Sequence, residues 1–133
     1  MKYLLDTHTL LWTLLEPSKL SKMAKQVIEN KKNEILVSSV NLWEISLKAS
    51  IGKLEFEDLE IESIPGYIEK MRIGIIELNA KEAIEFGRLP FHGNHKDPFD
   101  RILIWQAISR KMHLISKDER MKDYECDGLK HIW

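Results

Sequence analysis

The sequence predicts an α/β fold in which helices cover both faces of a central, mostly parallel sheet. Short apolar stretches with strand character alternate with amphipathic stretches of helical period along the whole chain. The 133 residues, 44% of them hydrophobic and 31% charged, are enough to bury a core, so we expect residues 1–133 to form a single domain. Acidic residues also recur where predicted strands end, which is the edge at which open α/β sheets bind ligands.

The first half of the chain contains two predicted strands, each followed by a helix. Both strands are short apolar runs that end in polar residues able to cap a helix. The strands are Lys2–Leu5 and Glu34–Ser38, and the capping candidates are Asp6 or Thr7 for the first helix and Ser38 or Ser39 for the second. Pro17 ends the first of these helices, and Gly52 ends the second, which runs from Val40 to Ile51.

Between these two units, the segment from Ser18 to Lys32 is predicted to be a further helix. Apolar residues recur there at i, i+3 and i+4, which is typical of a helix that packs one face against a core. Five lysines cover the rest of its surface. They form either a solvated face or a patch that faces phosphates, and both interpretations remain open.

The second half predicts three more strands. Ser63 opens a helix that ends near residue 71 or 72, and Gly74–Leu78 is the strand that follows it. Another helix starts at Asn79 or at the next residue and ends near Leu89. After the helix that carries the most informative motif, a strand at His113–Ser116, a helical turn, a turn at Gly128 and a last strand at residues 131–133 complete the chain.

The most informative helix follows the loop Pro90–Lys96. Pro98 suits the first helical position, so Asp97 falls at the N-cap and Asp100 at the third helical position. The residues from Ile102 to Ile108 are apolar on nearly every face, which predicts a helix buried between layers. The two acids are explained either by capping alone or by a site at the start of the helix.

Acids at other element ends favour a site. Asp6 and Asp118 follow predicted strands, and Glu44 lies on the helix after the second strand, on a face that it shares with apolar residues. An acid in that setting is costly unless it is paired or binds a metal, and Lys48, one turn later, offers the pairing. Both interpretations of Glu44 remain open. Because the carboxyl ends of parallel strands share one edge, we expect these acids to converge.

Converging carboxylates repel one another, and a hard divalent cation removes that cost. An all-oxygen site suits Mg²⁺ or Mn²⁺, and such sites act on phosphates by orienting a phosphodiester, activating water and stabilising the leaving oxygen. Zinc fits poorly because Cys126 is the only cysteine and the histidines lack ligand spacing, so we interpret His92 and His95 as loop residues. A phosphatase with Asp6 as its nucleophile is an alternative, although His8 stands where that class has a second acid.

Charge and composition narrow the class further. The net charge of −1 does not indicate a nucleic-acid binder, so only local clustering could serve that role. We expect no membrane span, since no apolar run is long enough, and no secretory leader, since Asp6 comes too early for one. The single cysteine excludes an intramolecular disulfide. These observations predict a cytoplasmic protein.

Four segments of the sequence resemble the PIN-domain ribonucleases, most closely the VapC-like toxins of type II toxin–antitoxin pairs. They are Leu4–His8, Val37–Ile45, Lys48 through Leu54, and His95–Arg101. The resemblance runs from Lys2 to about Glu119. It implies a PIN-like three-layer α/β/α sandwich, an endoribonuclease that cleaves RNA with Mg²⁺ or Mn²⁺, a small antitoxin partner and usually a homodimer.

The resemblance also implies which acids bind the metal. Asp6, Glu44 and Asp100 match the three most typical metal-site acids of the family. Asp118 matches a later and more variable fourth acid. Asp97 is an additional acid of this branch, which binds metal or substrate or only caps its helix.

Other polar residues near these acids have supporting assignments. Thr7 and Ser38 match polar positions beside the site. Lys48, Lys96 and Arg101 are candidates to hold backbone phosphates. Salt bridges to neighbouring acids are the alternative for all three, and they are the favoured interpretation for Lys48.

Two further alternatives stay open. One is a PIN-fold binding protein without activity, but the presence of all the acids argues against it.

The other concerns apolar residues. The first two helices and the segment from Leu54 to Ile61 carry more large apolar residues than one sheet face needs, so these residues line either the core or a groove for an antitoxin. The residues concerned are Leu10, Leu11, Trp12, Leu14, Leu15, Leu20, Met23, Leu54, Phe56, Leu59 and Ile61.

Overall fold

A computed structural model describes all 133 residues, from Met1 to Trp133. The strands are β1 (Lys2–Leu5), β2 (Glu34–Ser38), β3 (Gly74–Ile76), β4 (His113–Ile115) and β5 (Lys130–Ile132). The α-helices are α1 (Thr7–Leu15), α2 (Lys22–Glu29), α3 (Ser39–Ser50), α4 (Ile64–Lys70), α5 (Ala80–Glu85) and α6 (Pro98–Ser109). Short 3₁₀-helices occupy Pro17–Lys19, Ile61–Ser63, Phe86–Arg88 and Glu119–Asp127. None of the helices combines the length and the apolar character needed to cross a membrane.

The five strands form one sheet in the order β3-β2-β1-β4-β5. Every neighbouring pair is parallel, so the predicted mostly parallel sheet is confirmed and contains no antiparallel strand. The central strand is β1, where Tyr3 pairs in register with Ile35 of β2 and His113 of β4. The carboxyl ends of these three strands therefore meet at the middle of one edge.

Alternating residues of the strands pack against helices on opposite faces of the sheet. Leu4 faces the cluster that contains Leu103 of α6, whereas Leu5 faces the cluster that contains Leu10 of α1 and Ile64 of α4. Each cluster holds twelve buried residues, so neither face of the sheet is left uncovered. This arrangement confirms the three-layer α/β/α architecture.

Element ends differ from the prediction at several places. The second helix begins at Lys22 instead of Ser18, because the Ser21 hydroxyl accepts a hydrogen bond from the Ala24 N–H at 3.0 Å and caps it there. That helix ends at Glu29. Strand β3 stops at Ile76, and a nine-residue 3₁₀-helix replaces the short turn predicted after β4. Gly128 ends this helix with φ of +102°, a conformation that favours glycine.

Arg101 fixes the loop before α6 onto the body of the protein. Its buried guanidinium donates to the carbonyl oxygens of Leu89 at 2.9 Å and Pro90 at 3.0 Å, and to the Tyr124 hydroxyl at 3.2 Å. The same group lies 3.9 Å from the centre of the Phe91 ring, a cation–π contact. Because every one of these contacts is internal, Arg101 does not face an RNA backbone, and its interpretation as a phosphate ligand is wrong.

We expect Arg101→Met to lower the free energy of unfolding by about 2 kcal/mol or more, because two carbonyl groups lose a charged donor. Urea denaturation measures this change. Arg88→Met is the matched control, since the Arg88 side chain is 74% exposed, and it should cost less than about 0.5 kcal/mol. Equal stability of the two variants would contradict this role for Arg101.

Candidate active site

An open cavity of about 360 Å³ lies at the carboxyl edge of β1, β2 and β4. Its lining contains all five acids singled out from the sequence and only one hydrophobic residue. The lining residues are Asp6, His8, Trp12, Glu44, Lys48, Asp97, Asp100, Lys117, Asp118 and Arg120. The expected convergence of the acids at one edge is therefore present in the structure.

Asp6 is the first residue after β1 and is 6% exposed. Its Oδ1 accepts a hydrogen bond from the Thr9 N–H at 2.8 Å, so Asp6 is also the N-cap of α1. Burial raises the pKa of this carboxyl above its ordinary value, and hydrogen bonds from Ser116 and Thr9 offset part of that rise. The capping role and the place in the cavity coexist, because the cap uses one of the two carboxylate oxygens.

Glu44 is 3% exposed and has a partner on each oxygen. Its Oε1 accepts from the Thr7 hydroxyl and its Oε2 from the Lys48 ammonium, both at 2.5 Å. Burial alone would lower the pKa of Lys48, but the hydrogen bond and charge of Glu44 outweigh it and raise that pKa. The ion pair favoured for Lys48 is confirmed. Leu47 is exposed, so the expected apolar stripe around Glu44 is not formed; Glu44 instead lies in a polar layer between α1 and α3.

Asn41 orients the Thr7 hydroxyl toward Glu44. The fully buried Asn41 amide donates to the Leu5 carbonyl at 3.3 Å and to the Thr7 hydroxyl oxygen at 3.1 Å. Because a hydroxyl has one proton, Thr7 accepts from Asn41 and donates to Glu44. The Asn41 side-chain oxygen accepts from the Ser38 N–H, which closes a capping box at the start of α3. This role of Asn41 was not predicted, although the spacing of Ser38 and Asn41 is that of a capping box.

A chain of hydrogen bonds through His95 and Tyr124 orients the Asp100 carboxylate. Asp100 Oδ2 lies 3.1 Å from His95 Nε2, and His95 Nδ1 lies 3.1 Å from the Tyr124 hydroxyl. Arg101 donates to the same hydroxyl oxygen, so the Tyr124 O–H donates its proton to His95 Nδ1. The other ring nitrogen of His95 then carries a proton, and this Nε2–H donates to Asp100. His95 lies in the predicted loop but is 2% exposed, so it is a buried partner of an acid and not a surface histidine.

Asp97 and Asp100 have different local roles. The Asp97 carboxylate accepts from the Phe99 N–H at 2.9 Å and caps α6, with Pro98 at the first helical position as predicted. Asp100 does not complete a capping box, because its carboxylate faces His95. Burial raises the pKa of Asp100, the hydrogen bond from His95 opposes that rise, and the negative charges of Asp97 and Asp6 add to it.

Asp118 is paired with an arginine that sequence analysis missed. Arg120 donates to both carboxylate oxygens of Asp118, with the shortest contact at 2.7 Å, and its guanidinium lies 3.8 Å from Asp100. The hydrogen bond from Arg120 lowers the pKa of Asp118. No local pattern indicated this pair, because the contact depends on the 3₁₀-helix that begins at Glu119.

Comparison with known proteins identifies the family. Residues 3–125 match the sequence profile of the PIN domain. The chain belongs to the PIN domain family. A curated relative, Ribonuclease VapC22 of Mycobacterium tuberculosis (strain ATCC 25618 / H37Rv), is 29% identical over 133 residues, which cover 98% of this chain and 97% of the relative.

Solved structures with this fold include two protein complexes. VapBC-1 from nontypeable Haemophilus influenzae superposes with a TM-score of 0.68 at 20% identity, covering 99% of this PIN domain chain and 97% of the other. VapBC2 from Rickettsia felis, bound to a DNA fragment from its promoter, superposes with a TM-score of 0.65 at 20% identity, covering 100% and 99% of the two chains. At this identity the similarity establishes the shared fold.

The donor set of this PIN domain fits a hard divalent cation. Five carboxylates and three cations line the cavity, which leaves a formal charge of −2 when His8 is neutral. One Mg²⁺ or Mn²⁺ ion carries the opposite charge, and carboxylate oxygens are its preferred protein ligands. Carboxylate oxygens of Asp100 and Asp118 lie within 4.8 Å of each other. No thiol is among the lining residues, so the cavity does not resemble a structural zinc site.

We expect Mg²⁺ to stabilise the protein near neutral pH and to lose this effect as the pH falls, because protons compete for Asp6 and Asp100. Burial raises the pKa of both acids, so the folded state favours their protonated forms. Without a metal, the two carboxylates therefore lower the free energy of unfolding as the pH rises through the folded pKa. At a hundredfold excess over the dissociation constant, Mg²⁺ should add about 2.7 kcal/mol.

Thermal melts with and without Mg²⁺ at about pH 7 and about pH 4 measure this linkage. The loss should begin above the ordinary aspartate pKa of 3.8. Asp6→Asn should remove the Mg²⁺ effect, whereas Glu119→Gln, at an exposed acid outside the cavity, should keep it. The same Mg²⁺ stabilisation at both pH values would count against the carboxylate site.

Proposed function

We propose that this PIN domain protein is a divalent-metal-dependent endoribonuclease and the toxin component of a type II toxin–antitoxin pair. The observation that carries the proposal is the convergence of Asp6, Glu44, Asp100 and Asp118 in one cavity at the carboxyl edge of the sheet. Similarity to a named ribonuclease across nearly the full length of both chains supports the same activity.

Asp6, Glu44, Asp100 and Asp118 would hold Mg²⁺ or Mn²⁺. When bound, the ion supplies positive charge that activates a water and stabilises the leaving oxygen of a phosphodiester. The chain positions these acids through neighbours that are already in place. Thr7 fixes one oxygen of Glu44, and His95 fixes one oxygen of Asp100, so both carboxylates are held in one orientation before any ligand arrives.

Three cations line the same cavity and are the residues that we assign to the RNA backbone. Lys48 and Arg120 each pair with one of the acids, and Lys117 is exposed, with its ammonium 5.8 Å from the centre of the Trp12 ring. Phosphate oxygens can accept from any of them in competition with the carboxylates. Lys96 is exposed but does not line the cavity, so its contact with RNA stays a prediction.

We expect Asp100→Asn to reduce RNA cleavage by at least about 100-fold, since it removes a negative ligand from the centre of the site. Asp97→Ser should keep most activity, because serine caps a helix about as well as aspartate. The assay follows cleavage of a labelled RNA in Mg²⁺ or Mn²⁺, and EDTA should stop it. Unfolding curves of both variants separate loss of chemistry from loss of fold.

Two outcomes of this assay would contradict the assignment. Full cleavage in the presence of EDTA would exclude a dissociable metal from the reaction. Loss of activity in Asp97→Ser together with full activity in Asp100→Asn would show that the two acids have the reverse roles.

We further propose that a small antitoxin binds beside the acids. A second open cavity of about 560 Å³, which we call the groove, shares His8 and Trp12 with the acid cavity. It continues along apolar residues of α1 and the segment from Leu54 to Leu59. Of the apolar residues considered from the sequence, Leu10 and Leu11 are core residues, whereas Leu15 is 45% exposed. Glu16, Glu55 and Glu57 also line this cavity, so a partner segment that is apolar with basic flanks would fit it.

The test of this partner is co-expression with the product of any small reading frame that neighbours the gene, followed by purification on a tag carried by one of the two proteins. We expect the two to co-purify and the complex to lose RNA cleavage, because the groove shares His8 and Trp12 with the acid cavity. Leu15→Glu on the groove should weaken co-purification, and Ile84→Glu, at a residue 84% exposed elsewhere, should not. Failure to co-purify, with no effect of this chain alone on growth or cellular RNA, would exclude the toxin assignment.

A homodimer is also proposed. Trp43 is 62% exposed and packs edge-on against Phe99, with ring centres 5.1 Å apart. These two side chains line an apolar cavity of about 210 Å³ between α3, α5 and α6. An exposed apolar surface of this kind is typical of an interface, and it lies apart from the groove assigned to the antitoxin.

A further inference from the structure

The loop before α6 meets the end of the last 3₁₀-helix at a cluster of mixed donor atoms outside the acid cavity. His92 Nε2 lies 2.6 Å from Asp127 Oδ2, and a donor atom from each of His92, Cys126 and Asp127 lies within 4.8 Å of the other two. We propose that these three residues form a second metal site, which takes a borderline-soft divalent cation such as Zn²⁺ and not Mg²⁺.

The distances suit a tetrahedral ion after small side-chain movements. Zinc bonds of about 2.0–2.3 Å place neighbouring ligand atoms roughly 3.3–3.8 Å apart. The present spacings, from 2.6 Å to at most 4.8 Å, bracket that range. The His92–Asp127 contact is now a direct hydrogen bond, which an ion inserted between the two atoms would replace.

The backbone around the three donors is fixed by contacts that do not need a metal. The His92 ring packs edge-on against the buried Tyr124, with ring centres 4.7 Å apart. Arg101 binds the start of the same loop through the Pro90 carbonyl. Cys126 and Asp127 end the 3₁₀-helix, and the positive φ of Gly128 closes it. A site on preorganised segments loses little conformational entropy when the ion binds.

The donor chemistry separates this site from the acid cavity. A thiolate, an imidazole and a carboxylate are typical zinc ligands, whereas magnesium prefers oxygen alone. When the ion binds, the Cys126 thiol would release its proton to solvent, and the thiolate and the Asp127 carboxylate would together balance one divalent ion. Cys126 is exposed, so a fourth position remains open to water or to another ligand. Without a metal, the hydrogen bond explains His92 and Asp127 but leaves Cys126 with only a weak contact to the Asp123 carbonyl at 3.3 Å.

An ion here would join the two segments that flank the acids. Tyr124 lies between His92 and His95, and His95 binds Asp100. Zinc would therefore brace the loop that carries His95 against the helix that begins beside Asp118. We expect slower amide hydrogen exchange in the segment 90–97 when Zn²⁺ is bound, a change that can be measured without any assay of activity.

Cobalt titration of the whole purified protein tests the proposal. Co²⁺ is added under anaerobic, reducing conditions with excess Mg²⁺ present, so that the acid cavity is occupied. We expect one equivalent of Co²⁺ to produce a thiolate-to-metal charge-transfer band in the near ultraviolet, and Zn²⁺ to abolish that band by displacement. No band in the wild-type protein would overturn the proposal.

Variants decide whether the three residues act together. Cys126→Ser, at an exposed position, should abolish the band, and His92→Gln and Asp127→Asn should each weaken the affinity for Co²⁺ at least about 10-fold. Asp123→Asn is the matched control at a neighbouring exposed acid and should bind like the wild type. Asp6→Asn should also keep the band, because it alters only the acid cavity.

Two results with the variants would also overturn the proposal. Unchanged Co²⁺ affinity in both His92→Gln and Asp127→Asn would mean that an isolated thiol binds the ion. Loss of the band in Asp6→Asn would mean that Co²⁺ binding at Cys126 depends on the acid cavity, so that the three residues do not form a site of their own. Circular dichroism checks that each variant is folded. If a change at His92 disturbs its loop, Cys126→Ser still tests the proposal, because Cys126 is exposed and its replacement should not affect folding.

Discussion

Repulsion between buried carboxylates is the constraint on which the site depends. Asp6, Glu44 and Asp100 are ionisable groups removed from most of the solvent, and an unpaired charge in such a place is costly. Each acid of the cavity has a different compensating group from the chain. The pairs are Asp6 with the Thr9 N–H, Glu44 with Thr7 and Lys48, Asp100 with His95, Asp97 with the Phe99 N–H, and Asp118 with Arg120.

Strand order explains why the acids meet. Because β1 is central, residues just beyond its end lie between those that follow β2 and those that follow β4. The Asp6 N–H donates to the Ile115 carbonyl at 3.2 Å, which extends the β1–β4 ladder to the edge of the site. The apolar core ends at Leu5, Val37 and Ile115, and polar residues replace it in the next position of each strand. Because the three strands pair in register, their apolar residues form one buried sheet and the polar residues that follow them form one charged edge.

Local signals were sufficient for much of this structure. Alternating apolar runs predicted the strands, Pro98 and Asp97 predicted the start of α6, and Gly52, with φ of +76°, marked the turn after α3. These features depend on residues within one turn of each other, which a sequence displays directly. The start of the second helix was misplaced because Ser18 and Ser21 offer the same capping chemistry, and only Ser21 is used.

Contacts between distant segments could not be read from local pattern. Arg101 follows directly after Asp100 in the sequence, yet it faces away from the cavity because Leu89, Pro90 and Tyr124 provide its acceptors. The burial and hydrogen bonds of the loop residue His95 could not be predicted, because its two partners lie 5 and 29 positions away. Four of the five acids were recoverable because each follows or opens an element, and Glu44 was recoverable because it shares a helical face with apolar residues. Of their counterions, Lys48 was recoverable because it lies one turn from Glu44, whereas the pairing of Arg120 with Asp118 was not predicted.

Metal binding in the acid cavity should also change the affinity for RNA, because two cations of the cavity are paired with its acids. A cavity with a formal charge of −2 repels a phosphate backbone, and two of its three cations, Lys48 and Arg120, are engaged with carboxylates. A divalent ion held by the acids would cancel that charge and compete with Lys48 and Arg120 for the carboxylate oxygens. The released donors would then be free to bind phosphate. Metal and RNA should therefore bind with positive coupling, and by linkage each should raise the affinity of the other equally.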